Sequence, residues 1–348
     1  GGGGGNETTA AAGGDTGSTA AGGDAVASGS GEVGKTDITF AMGADIVTLD
    51  PAGQQDTTTS VIIKHVYSTL LDISDEGELV PDLAESYELV NDTDFVFKLR
   101  EDAVWSDGTP VTANDVKFTF DRAKNMPKTK SNTSKVKEVV VDNEHQVTIK
   151  LTEPYAPFKS IVANSNLSIV QEAAVTAAGE AYGDADNAVG SGPFTVKEWV
   201  PNDHYTLEKN ANYWGEEPIT TSITCRVIPE GSARAIALET GEVDLVWNVD
   251  PTDCSNIEAN SDVKLLSQPS SSIEYLGMNV TKEHFKDQKV RQAINYAINK
   301  DAYCAVVKNG VATPATSIIG PNVQFYKGND VYAYDIEKAK SLLAEAGY

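Results

Sequence analysis

Three aspartates, Asp107, Asp115 and Asp121, lie close enough along the chain to raise the question of a carboxylate pair working as acid and base. Each has a local explanation instead: Asp107 sits in the tight turn at 105–110, Asp115 stands three residues after Thr112 as in a capping box, and Asp121 falls near a helix end. The histidines His65, His145, His204 and His284 show no metal-ligand spacing. Cys225, Cys254 and Cys304 are odd in number and widely spaced, which suits neither a disulfide framework nor a zinc site, and they are read as buried spectators. The Gly190-Ser191-Gly192-Pro193-Phe194 turn is a poor phosphate loop, because no lysine follows and a strand comes next; its glycines are expected to supply positive φ. No catalytic residue, metal ligand or cofactor site is therefore assigned.

The remaining chemistry is hydrogen bonding. A polar run at 52–60 sits between a strand and a helix, where its amides and short side chains suit a ligand or, equally, a solvated loop with an N-cap. Around 223–248 the pattern reads strand, helix, strand: a strand at 224–228, a helix capped by Ser232 with Ala233, Ile236, Ala237 and Thr240 on one face, a stop at Gly241, and a strand at 242–248 too apolar for a sheet edge. Such a βαβ unit delivers Trp247 and Asn248 to the carboxyl edge of a sheet, where open α/β folds bind ligands. A further strand at 263–266 leads to a crossover whose Ser271, Ser272 and Tyr275 complete the candidate binding residues chosen on topology.

The elements around these residues alternate between the two periods expected of strands and helices. A strand at 37–42 opens the ordered chain. Short strands with period two follow Pro81: 86–90 and 95–100 form a hairpin directing Tyr87, Leu89, Phe95, Phe97 and Leu99 to a core, and a second hairpin pairs 139–141 with 147–151. Strands at 194–199 and 205–209 then pair, so the segment before Pro81 and the segment after Gly190 share one sheet with an α+β unit inserted between them. Two late helices, capped by Asp287 and Asp335, carry apolar faces with no sheet in the sequence to cover them.

With 348 residues, 40% hydrophobic and 22% charged, the chain has room for two domains. A net charge of −24 argues against nucleic acid as a partner, since phosphates would be repelled rather than neutralised. Few of the charges fall in residues 1–36, whose Gly, Ala, Ser and Thr content reads as a flexible tether.

Eight motifs, in order, resemble one family. They are Thr48-Leu49-Asp50-Pro51; Pro81-Asp82-Leu83-Ala84-Glu85-Ser86-Tyr87; Phe97-Lys98-Leu99-Arg100 with Trp105-Ser106-Asp107-Gly108-Thr109-Pro110 and Ala113-Asn114-Asp115-Val116; the Gly190 turn; Asn212-Tyr213-Trp214; Gly241-Glu242-Val243-Asp244; Lys289-Val290-Arg291-Gln292-Ala293-Ile294; and Glu337-Lys338-Ala339-Lys340 through Gly347-Tyr348. The chain resembles the family 5 solute-binding proteins of bacterial ABC importers, the peptide, dipeptide and nickel type. One departure is His284, which stands where proline commonly precedes Phe285.

The resemblance implies an α/β, two-lobed periplasmic-binding-protein-like fold of class II (cluster C) with an extra small α+β subdomain. Lobe I would comprise 37–80 and 188–270, the inserted subdomain 81–187, and the start of lobe II 271–348. Family members continue beyond the equivalent of Gly347, so an incomplete second lobe is expected. Gln55, Asp56 and Thr57 carry over as ligand contacts. The implied ligand is a short peptide, with a nickel or metal chelate or an oligosaccharide as alternatives within the family and a secreted hydrolase as the alternative class. The implied partner is the membrane permease, the protein a monomer, and its place the outer face of the membrane on a lipid anchor or the periplasm, because the Gly-rich opening resembles the residues following a lipoprotein's lipidated cysteine.

Overall fold

The computed structural model describes residues 34–323, 325–329 and 332–348. The tether expected over 1–36 lies, apart from its last residues, outside them.

A five-stranded sheet is built from chain segments far apart in sequence. Its strands are β1 (Asp37–Met42), β8 (Phe194–Val200), β9 (His204–Lys209), β10 (Ser222–Val227) and β11 (Leu245–Val246), in the order β11-β1-β10-β9-β8. β1 runs parallel to β10 and β11, whereas β9 runs antiparallel to β10 and β8. Successive side chains of β1 point to opposite faces, and both faces are covered. Met42 packs among Ile62, Ile63 and Val66 of helix α1 (Thr57–Val66), while Ala41 meets Ala237 of the helix Gly231–Glu239 and Val243 behind it. The βαβ unit is present, with its second parallel strand at the sheet edge.

A second sheet carries the larger core. Strands β4 (Ala84–Val90), β5 (Asp94–Leu99), β6 (Val136–Asn143) and β7 (Gln146–Leu151) form an antiparallel sheet ordered β4-β5-β7-β6. Phe95, Phe97 and Leu99 pack there with Trp105, Phe158 and Val116 and Phe120 of helix α2 (Ala113–Ala123). Thr112 and Asp115 close the expected capping box, and Asp115 also accepts the Trp105 indole N–H at 3.3 Å. Tyr87 and Leu89 lie opposite Phe97 and Phe95, but β4 is an edge strand, so they stay 38% and 48% exposed at the core margin rather than inside it.

The strands β2 (Leu71–Ile73) and β3 (Leu79–Pro81) form a small hairpin between these sheets. Beyond β11 the described residues hold no strand. The expected strand at 263–266 is irregular chain with Leu266 77% exposed, because no neighbouring strand pairs with it. The helices Gln288–Ala297 and Ile336–Glu345, capped by Asp287 and Asp335, bury Ala293 against Ala339 and Leu342. No described helix is long and apolar enough to cross a membrane.

Local departures have identifiable causes. The helix Gly231–Glu239 starts two residues early, with Glu230 rather than Ser232 at its N-cap; no side chain caps it, and its buried residues are Arg234, Ala235 and Ala237, while Ile236 is 57% exposed. The face is rotated because Arg234 turns inward: its Nη1 donates to the Ile228 and Pro229 carbonyls, both at 2.8 Å, and its Nη2 to the Asn248 carbonyl at 3.2 Å. β11 is only two residues long because Asp244 spends its carboxylate on Thr39 N–H at 2.8 Å and on Lys35. Cys225 is buried as expected, but Cys254 and Cys304 are only half-buried. Gly190 and Gly192 do not take positive φ. They are needed for close approach, since a Cβ on either would collide with the backbone around Val66.

Where the hairpin β2–β3 meets β4, Asp82 accepts hydrogen bonds from Thr69 N–H at 2.7 Å and Thr69 Oγ1 at 3.3 Å. Burial, with Asp72 nearby, pushes its carboxyl up to about 7 from an ordinary 3.8. A folded-state pKa above the unfolded value means that the folded chain binds this proton more tightly. Its contribution to stability is therefore fully present below about pH 4 and lost as pH rises towards 7. In thermal melts between pH 4 and 8, D82N is expected to gain on the unsubstituted protein across that window and run parallel above it. Parallel curves throughout would contradict the assignment.

Candidate functional site

The polar run expected to carry ligand contacts is held from both ends. At its start, Asp50 caps the short turn Pro51–Gly53, accepting from Ala52 N–H, and is gripped by Arg122 of α2 through two hydrogen bonds of 2.9 and 2.6 Å. Arg122 also lies over the Tyr182 ring, 5.4 Å from its centre. At its end, Asp56 is the N-cap of α1, its Oδ1 accepting from Thr59 N–H at 2.7 Å. Between these anchors Gln54 is buried and Gln55 exposed.

Gln54 faces the segment 164–166, which runs into the turn Ser165–Leu167 and is pinned by the buried Leu167 and Ile169. Gln54 Nε2 donates to Ser165 Oγ at 3.2 Å, Ser165 Oγ donates to Ser60 Oγ at 2.9 Å, and Ser60 Oγ shares its proton between Gln54 Oε1 and the Asp56 carbonyl. Beside this ring, Asn132 Nδ2 donates to Asn166 Oδ1 at 3.1 Å. Gln55 Nε2 reaches the Lys128 carbonyl. Together with Asn164 these residues enclose a depression of about 410 Å³. Its walls are carboxamides and hydroxyls without an ionisable group.

Of the eight residues proposed from the sequence, Gln55 alone lines this depression. Asp56 is spent on the helix cap, and Thr57 is exposed at the first turn of α1. Trp247 is half-buried against the α1 side of the five-stranded sheet, as a core residue would be. Asn248 is exposed at φ 61° with its carbonyl on Arg234. The carboxyl edge of β1, β10 and β11 is thus occupied by the protein's own guanidinium, which reaches so close that a Cβ on Gly43 would lie 2.8 Å from Nη1. Ser271, whose backbone lies beside Gly320, and Ser272 are both exposed, and Tyr275 is 80% exposed. The unanticipated members are Gln54 and Ser60, inside the polar run already noted, and Asn132, Asn164, Ser165 and Asn166. The triplet 164–166 did carry a signal: it places three polar residues in a row in a stretch from Val162 to Val170 whose one other polar residue is Ser168.

The three aspartates considered for catalysis are all committed. Asp107 accepts from Thr109 and from Gln171 Nε2, Asp115 from Trp105 and Glu172 N–H, and Asp121 pairs with Lys117. Among the described residues no His, Cys, Asp and Glu group is arranged to hold a metal ion.

An α/β frame presenting a concave, uncharged hydrogen-bonding surface describes a binding module. The chain belongs to the bacterial extracellular solute-binding proteins, family 5, whose middle region matches residues 78–348. The glutathione-binding protein GsiB of Escherichia coli (strain K12) is 33% identical over 317 residues, covering 90% of this chain and 62% of that protein. The chain thus spans about 62% of the length of the curated relatives it matches. Among solved structures, the ABC transporter-associated periplasmic binding protein DppA from Helicobacter pylori, in complex with the peptide STSA, aligns with a TM-score of 0.80 at 28% identity, covering 90% of this chain and 66% of that one. NikA from Brucella suis, in complex with Fe(III)-EDTA, aligns with a TM-score of 0.79 at 28% identity, covering 90% and 65%. The fold is that of the family 5 periplasmic binding proteins.

Proposed function

We propose that this chain is the ligand-capturing component of a bacterial ABC importer. It takes up short peptides outside the cytoplasmic membrane and passes them unaltered to a membrane permease, working as a monomer held by a lipid anchor or free in the periplasm. Residues 37–80 and 188–270 form lobe I in this reading, 81–187 the inserted subdomain, and 271–348 the beginning of lobe II, whose Ser271, Ser272 and Tyr275 approach the ligand on closure. Contacts made with both lobes exist only in the closed form, so ligand binding shifts the population towards it.

The observation that carries the peptide reading is the ring of Gln54, Ser60 and Ser165 with its neighbouring asparagines. Such groups match the carbonyls and N–H groups of a peptide, whereas a charged metal chelate calls for counter-ions that this surface lacks. Of the two solved relatives, DppA was solved with a peptide, in keeping with this reading, and NikA with Fe(III)-EDTA, in keeping with the metal-chelate alternative. Calorimetry of the full-length protein against mixed tri- to hexapeptides, with the recovered peptides weighed by mass spectrometry, is expected to show micromolar or tighter binding and intact ligand. Cleaved peptide would point to a hydrolase and contradict the proposal.

A further inference from the structure

Resting on the peptide reading just given, we propose that the depression around Gln54 is a selective subsite for one uncharged, hydrogen-bonding side chain of the ligand, a carboxamide or hydroxyl, and that it discriminates against a carboxylate or an ammonium at that position.

Three observations converge. First, the lining holds four carboxamides in Gln54, Gln55, Asn132 and Asn164, a fifth in Asn166, and two hydroxyls, with no ionised group to neutralise a charge. An ion moved from water into such a surroundings keeps hydrogen bonds but gains no counter-charge, and the loss of hydration is uncompensated. Neither flanking carboxylate lines it: Asp56 turns Oδ1 to the cap of α1, and Asp50 is paired with Arg122.

Second, the hydrogen-bond capacity is only partly consumed. Gln54 is 1% exposed, and one of its two amide protons is taken by Ser165. Asn166 is 9% exposed and accepts from Asn132, which leaves its own amide protons for a guest. Asn164, exposed on the rim, makes no side-chain hydrogen bond among the described residues and presents both a donor pair and an acceptor. A carboxamide guest answers both kinds of group. A carboxylate answers only the donors and would face the amide oxygens across the site.

Third, no aromatic ring lines the depression, so a sugar ring finds no apolar face to stack on. The volume of about 410 Å³ lies near the lower end of the roughly 300–1,000 Å³ found for ligand pockets, which suits one part of a peptide rather than its whole length.

The test uses two sets of alanine tetrapeptides, one with a single Gln walked through the four positions and one with Glu at the same places, titrated into the full-length protein and its N164A variant. The expected result is one position at which Gln binds about tenfold or more tighter than Glu, with that preference collapsing in N164A while its melting temperature stays unchanged. Equal affinities at every position, or tighter binding of Glu, would overturn the proposal, as would a preference that N164A leaves intact. Failure of both sets to bind at all is a different outcome: it overturns the peptide reading and the subsite with it.

Discussion

Substituting Arg122 with alanine is expected to destabilise the protein by about 3–5 kcal/mol, the usual penalty for stranding one member of a buried ion pair. Asp50 is 7% exposed and Arg122 20% exposed in their side chains, and the guanidinium meets both carboxylate oxygens. Asp50 caps the turn just before the polar run, and Arg122 belongs to the helix packed on the four-stranded sheet, so the pair ties the start of the polar run to that sheet's unit. R122K is expected to fall short of recovery, because an ammonium cannot make the paired, planar contact. Replacing both partners with apolar residues of similar volume is expected to restore most of the loss, as no uncompensated charge remains. Urea unfolding of the single and double variants checks this; a single substitution costing under about 1 kcal/mol would show the pair to behave as a surface salt bridge.

The second large effect is expected at Gly190. An added Cβ there would stand 1.8 Å from the Val66 carbonyl oxygen and 2.7 Å from its carbon, both main-chain atoms at the end of α1 that cannot swing aside. The same carbonyl accepts Gly192 N–H at 2.9 Å, so the strand entering β8 is laid directly on the end of α1. G190A is therefore expected to cost about 3 kcal/mol or more, at or beyond the upper end of ordinary overpacking. Gly77 is the control. It has φ +81° with open space around the would-be Cβ, so alanine there meets backbone strain alone, about 1–2 kcal/mol. Denaturation midpoints that rank G77A at or below G190A in stability would refute the close-approach argument.

The two glycines show what a single sequence conveys and what it hides. That a sharp change of direction occurs at 190–194 was readable from composition. That the glycines serve packing rather than positive φ depends on Val66, more than a hundred residues earlier, and no local pattern reports it. The same division runs through the fold. β1, the capping box at Thr112 and Asp115, the caps at Asp287 and Asp335, and the pairing of β8 with β9 all follow from short-range periodicity and side-chain chemistry. Arg234 carries no short-range signal of its inward position. Only the convergence of three free carbonyls at the ends of neighbouring strands draws it inward. Asp244 likewise shortens a strand that hydropathy alone would extend.

The candidate site divides the same way. The run at 52–60 stood out for its polarity, and Gln54, Gln55 and Ser60 lie within it. The partner of Gln54 and Ser60 is Ser165, 111 and 105 residues away, brought close by the insertion of the four-stranded sheet between two halves of the five-stranded one. Family resemblance supplied the class of protein, while the chemistry of this surface came only from the packed side chains.

Capture without chemistry, at the surface around Gln54, is tested most directly by amide hydrogen exchange of the full-length protein with and without a saturating tetrapeptide. Slower exchange at 54–60 and 164–167, with the peptide recovered intact, is the predicted result. Unchanged exchange in both segments while the peptide is demonstrably bound would place the guest elsewhere and contradict the account.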